Sequence, residues 1–215
     1  MFSVLLRHHD FAAINKPHGV AVHRNGGSDG LTRALAAQLG VPRVWLVHRL
    51  DQPTSGVLLV ALNQKAASAL AQQFAAKTIR KTYLALSDKK PAKKQGWVKG
   101  CMEKSRRGAW RLTRDTHNPA ITQFYSRSAA PGLRLFVLQP HTGKTHQLRV
   151  AMKSLGSPIL GDTLYGGTDA ARLFLHAWKL AFDYGGTHYE ITAPLDENWP
   201  QSVSGQFLLN LLSDK

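Results

Sequence analysis

The sequence predicts an α+β fold: one domain on a mixed, mainly antiparallel sheet flanked by helices and loops. Three observations carry this. Many short segments have the β-branched and aromatic composition of strands. Only a few segments show helical periodicity or a cap. No repeat and no compositional break suited to a linker interrupts the 215 residues, so a single unit over 1–215 is expected.

The elements follow in order. Residues 4–6 and 11–14 read as short strands around His8-His9-Asp10. Asn15-Lys16-Pro17-His18-Gly19 breaks regular structure. Residues 24–30 read as a flexible glycine-rich loop. Leu31, Leu35 and Leu39 share one face of a helix that Gly40 and Pro42 end. Residues 44–47 form a buried strand. Residues 56–62 are too uniformly apolar for a half-exposed strand and predict a central one. Asn63 then caps an Ala- and Gln-rich helix to about Lys77. Further strands fall at 82–86, 96–100, 109–112, 121–125 and 133–138, with Trp97 and Trp110 expected to pack in the sheet. A helix follows at 145–155, with Leu148, Met152 and Leu155 on one face. A strand pair covers 173–182 and 188–193. Residues 207–212 read as a docking helix.

Composition limits the function. Hydrophobic residues make up 43%, enough for a packed core. No apolar run reaches the length of a membrane span, and the N-terminus does not read as a secretory signal. The one cysteine, Cys101, cannot form an internal disulfide, so a cytoplasmic setting is expected. Lys and Arg total 28 against 13 Asp and Glu, a formal charge of +15. Such an excess attracts polyanions. Nucleic acid fits better than a membrane surface, because no long basic amphipathic helix is evident. The basic stretches at 89–94 and 104–107 have two readings, phosphate grips or mobile loops.

One polar segment sits between two apolar runs: His48-Arg49-Leu50-Asp51-Gln52-Pro53-Thr54-Ser55-Gly56. Asp51 there can be a nucleophile, a general base or a helix cap. No metal-binding spacing of His and Cys is present, His141 and His146 being five apart. No dinucleotide fingerprint is present either.

The segment resembles the nucleophile motif of the RluA-type RNA pseudouridine synthases, His-Arg-Leu-Asp, two variable residues, then Thr-Ser-Gly. Further motifs match in order. Lys16-Pro17-His18-Gly19 is similar to the family's Lys-Pro-x-Gly element, and Lys81-Thr82-Tyr83-Leu84-Ala85 to its tyrosine motif. His141-Thr142-Gly143-Lys144-Thr145-His146-Gln147-Leu148-Arg149 is similar to its third motif. Gly161-Asp162-Thr163-Leu164-Tyr165-Gly166 continues the match, which spans about 11–195. The resemblance implies a catalytic domain with an active-site cleft across the sheet. It implies isomerisation of uridine in RNA, with no cofactor and no metal. Asp51, Tyr83 and Arg149 are the implied catalytic residues, with Arg149 expected to pair with Asp51. A tyrosine at 83 can stack on the base or assist proton removal at C5. Arg49, implied to displace the target base, His48, Thr54, Lys16, Lys144, His146 and Gln147 are the expected substrate- and RNA-binding residues. The expected partner is rRNA, tRNA or both, bound by a monomer without a membrane.

Two positions depart from the family pattern. Lys144 stands where arginine is usual, which loses a planar fork. Ala151 stands where many relatives have histidine. An N-terminal RNA-binding extension is not expected. An RNA-binding or chaperone module on the same fold is the competing reading. A carboxylate hydrolase of nucleosides or glycosides is more distant, because Asp162, its only nearby second carboxylate, reads as structural.

Overall fold

The computed structural model describes residues 1–22, 29–115, 117–203, 205, 207 and 208. The chain runs β1 (Ser3–Arg7), β2 (Phe11–Lys16), α1 (Asp29–Leu39), β3 (Trp45–Leu46), β4 (Ser55–Ala61), α2 (Gln64–Ala76) and β5 (Arg80–Ser87). It continues through β6 (Gln95–Lys104), β7 (Trp110–Thr113), β8 (Ala120–Ala130), β9 (Leu133–Pro140), α3 (Gln147–Ser154), β10 (Leu175–Tyr184) and β11 (Thr187–Thr192). The strands form one sheet in the order β1-β2-β4-β10-β5-β9-β8-β6-β7, with β11 on β10 and β3 on β4. Among the described residues only β4 and β10 pair in parallel. The architecture is therefore the expected α+β fold on a mostly antiparallel sheet.

The uniform apolar run of β4 has a direct cause. Val57, Leu59 and Ala61 face one core cluster, which α2 closes with Ala66 and Leu70. Leu58 and Val60 face another, which α1 closes with Leu31, Leu35 and Leu39. Both faces of the strand are covered, so alternation vanishes. Burial of a leucine such as Leu70 contributes about 1.5–3 kcal/mol. Helix α2 starts where expected: the Asn63 side chain accepts from Ala66 N at 2.9 Å. A third cluster joins α3, through Leu148 and Met152, to β5, β8 and β9.

Some expectations change. The strand expected at 44–47 shrinks to Trp45–Leu46. Its partner edge on β4 is shared: β3 takes Val60 and Ala61, while β10 takes Ser55 and Gly56. Trp97 does not pack in the sheet but is 49% exposed, because β6 lies near the sheet's outer end, beyond the core strands. The loop expected at 24–30 falls mostly outside the described residues, and Asp29 and Gly30 already belong to α1. Of the expected C-terminal helix, Phe207 and Leu208 are helical, with Leu208 buried; 209–212 lie outside the described residues. No described helix is long and apolar enough to cross a membrane.

The β4–β10 contact is unusually close. Gly56 has φ +112°, and a Cβ there would lie 2.2 Å from the Ala177 carbonyl oxygen. Backbone against backbone leaves nothing flexible to yield. The substitution Gly56→Ala is expected to lower the unfolding free energy by about 3 kcal/mol or more, measured by denaturant titration.

Candidate active site

A pocket of about 410 Å³ opens between the segment after β3, the start of β5, the end of β9 and the start of α3. Nine of the ten site residues expected from sequence line it: Asp51, Tyr83, Arg149, Arg49, His48, Thr54, Lys144, His146 and Gln147. Lys16 is the exception. Its side chain is fully buried, and its Nζ donates to the carbonyls of Pro17, Val20 and Gln52 at 3.0, 2.8 and 3.1 Å. It ties the end of β2 to the residue following Asp51 and offers RNA no surface. Burial pulls its pKa down to about 8, against the attraction of Asp51.

The Asp51 segment is braced from both ends. Thr54 N donates to Asp51 O at 3.0 Å, closing a tight turn. Upstream, His48 Nε2 accepts from Leu59 N at 2.9 Å, and its ring stacks on Phe74 at 4.5 Å. An accepting Nε2 places the proton of the neutral ring on Nδ1. Burial, aided by Lys81, pushes the pKa of His48 down to about 3. His48 is a neutral brace at the pocket wall rather than a cation for phosphate. Downstream, Ser55 Oγ lies 2.8 Å from His176 Nδ1 and accepts from Arg172 Nη2 at 2.6 Å. His176 Nε2 is 3.2 Å from the Ala193 carbonyl, which can only accept. The ring therefore carries its proton on Nε2 and accepts the serine hydroxyl. Burial lowers its pKa to about 4. Arg172 also bonds Asp196.

Across the pocket, Arg149 does not make the expected pair with Asp51. Its Nε and Nη2 donate to the two carboxylate oxygens of Asp162 at 2.8 and 2.7 Å. Both groups are buried, and the guanidinium lies 4.9 Å from the Tyr165 ring centroid. The bidentate fork fits a carboxylate presented by a tight turn. Gly161 makes that turn possible: its φ is +84°, and a Cβ would meet the Arg172 carbonyl oxygen at 1.8 Å. Asp162 is thus structural, as expected. Burial opposes the charge on Arg149, but Asp162 and then Asp51 hold its pKa above the ordinary range.

The αL backbone of His146, φ +56°, sits immediately before α3. Tyr165 explains why this position is tolerated. Its hydroxyl accepts from Trp110 N at 2.9 Å and lies 2.8 Å from His146 Nδ1. The bond fixes the orientation of the His146 ring and leaves Nε2 toward the pocket. Burial and Arg149 lower the pKa of His146, against Asp51 and Asp162. Gln147 is buried and uses its amide entirely within the protein. Its Oε1 accepts from Thr142 Oγ1 and Lys144 N, and its Nε2 donates to Ile121 O and Thr122 Oγ1. It positions the loop that carries Lys144. Ala151 is buried, so that departure concerns the interior of α3.

Asp51 is the carboxylate of the pocket lining, and Lys81, Lys77 and Lys144 share that lining. Lys81 Nζ donates to Thr142 O at 3.1 Å, and burial and Lys77 lower its pKa. Lys81 is not among the site residues expected from sequence. Its signal was strand alternation: it stands two residues before Tyr83 and shares its face. Burial and Asp51 raise the pKa of Tyr83, so its phenol stays protonated. Outside the pocket, the group of three possible metal ligands found among the described residues is His8, His9 and Asp10. Asp10 there is already engaged by Asn63, Tyr184 and His9.

A single carboxylate held among cations, in a pocket sized for a nucleoside, is the layout of an enzyme that works on one unit of a polyanion. The comparisons specify which. Residues 10–154 match the RNA pseudouridylate synthase family. An uncharacterized RNA pseudouridine synthase of Haemophilus influenzae is 55% identical over 191 residues, 88% of this chain and 85% of that protein. The tRNA pseudouridine synthase C of Pasteurella multocida is 35% identical over 223 residues, covering 87% and 88%. The solved structure of Human RNA Pseudouridylate Synthase Domain Containing 4 superposes with a TM-score of 0.80 at 25% identity, covering 94% of this chain and 91% of that one. The chain belongs to the RNA pseudouridylate synthase family, whose members are isomerases.

Two outcomes follow from this geometry. Asp162→Asn leaves the buried Arg149 charge without its partner and is expected to cost about 3–5 kcal/mol in unfolding free energy. On acidification, unfolded histidines take up protons near pH 6.5 that folded His48 and His176 refuse until about pH 3 and 4. The unfolded state binds more protons in that window, so stability falls as pH drops from about 6.5 toward 4, by up to about 1.4 kcal/mol per pH unit for each group. Denaturant titrations across that range check the slope, and His176→Asn is expected to flatten it.

Proposed function

We propose that the chain converts uridine in RNA to pseudouridine, with Asp51 as the nucleophile. The observation that carries this is the position of Asp51: on a braced turn, in a pocket lined by cations, within electrostatic reach of Arg149, His146 and Tyr83. Breaking the C1′–N1 bond builds positive charge at the sugar, which a carboxylate stabilises or traps. The freed uracil turns within the pocket, and C5 bonds to C1′. C5 then loses its hydrogen and N1 gains a proton, so no atom is gained or lost overall. A phenol held protonated is a poor base, so stacking against the uracil is the role that the surroundings of Tyr83 support. Arg49 is exposed at the pocket rim. It suits displacement of the target base, which must leave its stack to be reached. His146 lines the pocket and offers a ring nitrogen to substrate.

The substrate class is a structured RNA of translation. A tRNA comes first, given the relative named for tRNA, and rRNA is the other candidate. Loops that expose a uridine are favoured targets. The single cysteine and the RNA substrate fit a cytoplasmic protein.

The test uses tRNA and rRNA carrying tritium at uridine C5. Wild-type protein is expected to release tritium from one of them, and Asp51→Asn to reduce release at least about 10³-fold. Absence of release from either RNA by folded wild-type protein, or equal release by Asp51→Asn, would overturn the proposal.

A further inference from the structure

A second groove of about 300 Å³ begins where the active-site pocket ends, and Lys77, Lys81 and Pro140 line both. The groove then runs over the other face of the sheet. Thr82 lines it, and Thr82 points away from the face of its neighbour Tyr83. Strand register sets a row across five strands. Lys179 is opposite Thr82, Gln123 is opposite Gln139, and Trp97 is opposite Gln123. The pairing of Tyr83 with Leu138 places Thr82 beside Gln139 and completes the row. Strand spacing makes it about 19 Å long.

The two ends of the row differ in chemistry. Near the pocket lie Lys77, Arg80 and the half-buried Lys81, together with Lys179, which Glu190 of the same groove pairs at 2.7 Å. At the far end is Trp97, an exposed indole on an open sheet face. The exposed His141, which follows Pro140 at the pocket mouth, stands beside it, with ring centroids 5.0 Å apart. Lys99 Nζ lies 5.2 Å from the indole centroid. Leaving an indole half exposed forgoes burial that the core would reward. Between the ends, two glutamine amides offer donors and acceptors. Cations, amides and an aromatic terminus in one row match a single strand of nucleic acid, which uses phosphates, base edges and base faces together.

We propose that this face binds the RNA segment flanking the target uridine, with Trp97 and His141 forming a platform on which a base stacks. The strand leaves the pocket past Lys81 and Pro140, and the platform holds it while the uridine is extruded. This rests on RNA being the ligand, as proposed above, but not on turnover.

The test is therefore a binding measurement in the Asp51→Asn background, using a fluorescein-labelled oligouridylate of about 12 nucleotides. Adding Trp97→Ala is expected to weaken binding about tenfold or more, and Trp97→Phe less than about threefold. The slope of log affinity against log salt stays the same in all three, because stacking releases no counterions. RNA is also expected to quench the parent's tryptophan fluorescence more than that of Trp97→Phe. That comparison decides the matter should Trp97→Ala fail to fold. Equal affinities, equal quenching, or a loss accompanied by a shallower salt slope would overturn the platform. Absence of any binding by the parent would overturn the platform and the RNA reading together. Absence of tritium release by the wild-type protein, with the Trp97 effects intact, would sink only the catalytic reading.

Discussion

The approach of β4 to β10 is the contact on which the site depends. At Gly56 and Ala177 two backbones meet with no side chain between them. One residue earlier, Ser55 is bonded to His176 and Arg172, and four residues before that stands Asp51. The parallel pair is short, yet it joins the two halves of the sheet. The half containing β2 and β4 carries the Asp51 turn, and the half containing β5 and β9 carries Tyr83 and the entry to α3. A pocket between the halves keeps its shape only if the junction keeps its spacing. Glycine at 56 is thus a requirement of the site as much as of the fold.

Much of this was legible in the chain. The central strand showed itself by an unbroken apolar run, and α2 by Asn63 and its alanines. The pocket residues were found through ordered motifs, and most of them do line one cavity. What stayed hidden was the destination of polar side chains. Lys16 is expected at the RNA because it stands in the Lys-Pro-x-Gly motif, and a motif does not say which way a side chain turns. It is instead sealed inside by three carbonyls. Arg149 takes Asp162 rather than Asp51 because the best bidentate partner is the carboxylate a distant turn delivers, and no sequence spacing encodes that meeting. Trp97 departs from expectation for the same kind of reason: strand composition says nothing of how far a strand lies from the core.

The electrostatics share one design. The chain is strongly basic, but the cations nearest the chemistry are restrained: Lys16 and Lys81 are both pushed toward neutrality by burial. His48, His146 and His176 are likewise held below their ordinary range. Arg149, secured by Asp162, is a buried cation of the pocket lining that keeps its charge. Solvated charge lies at the pocket rim, on Arg49 and Lys77, and on the surface beyond, where it attracts RNA.

Gln147 shows how such a pocket is kept stiff without regular structure. Its amide is a saturated junction, two bonds in and two bonds out, and all four partners lie in two neighbouring stretches of chain. An amide so engaged cannot be turned over, since each of its atoms would then face a group of its own kind. The stretch carrying Lys144 and His146 is thereby keyed to β8 like a tenon in a mortise. It is irregular in backbone, yet it has the one-way fit of a strand in register.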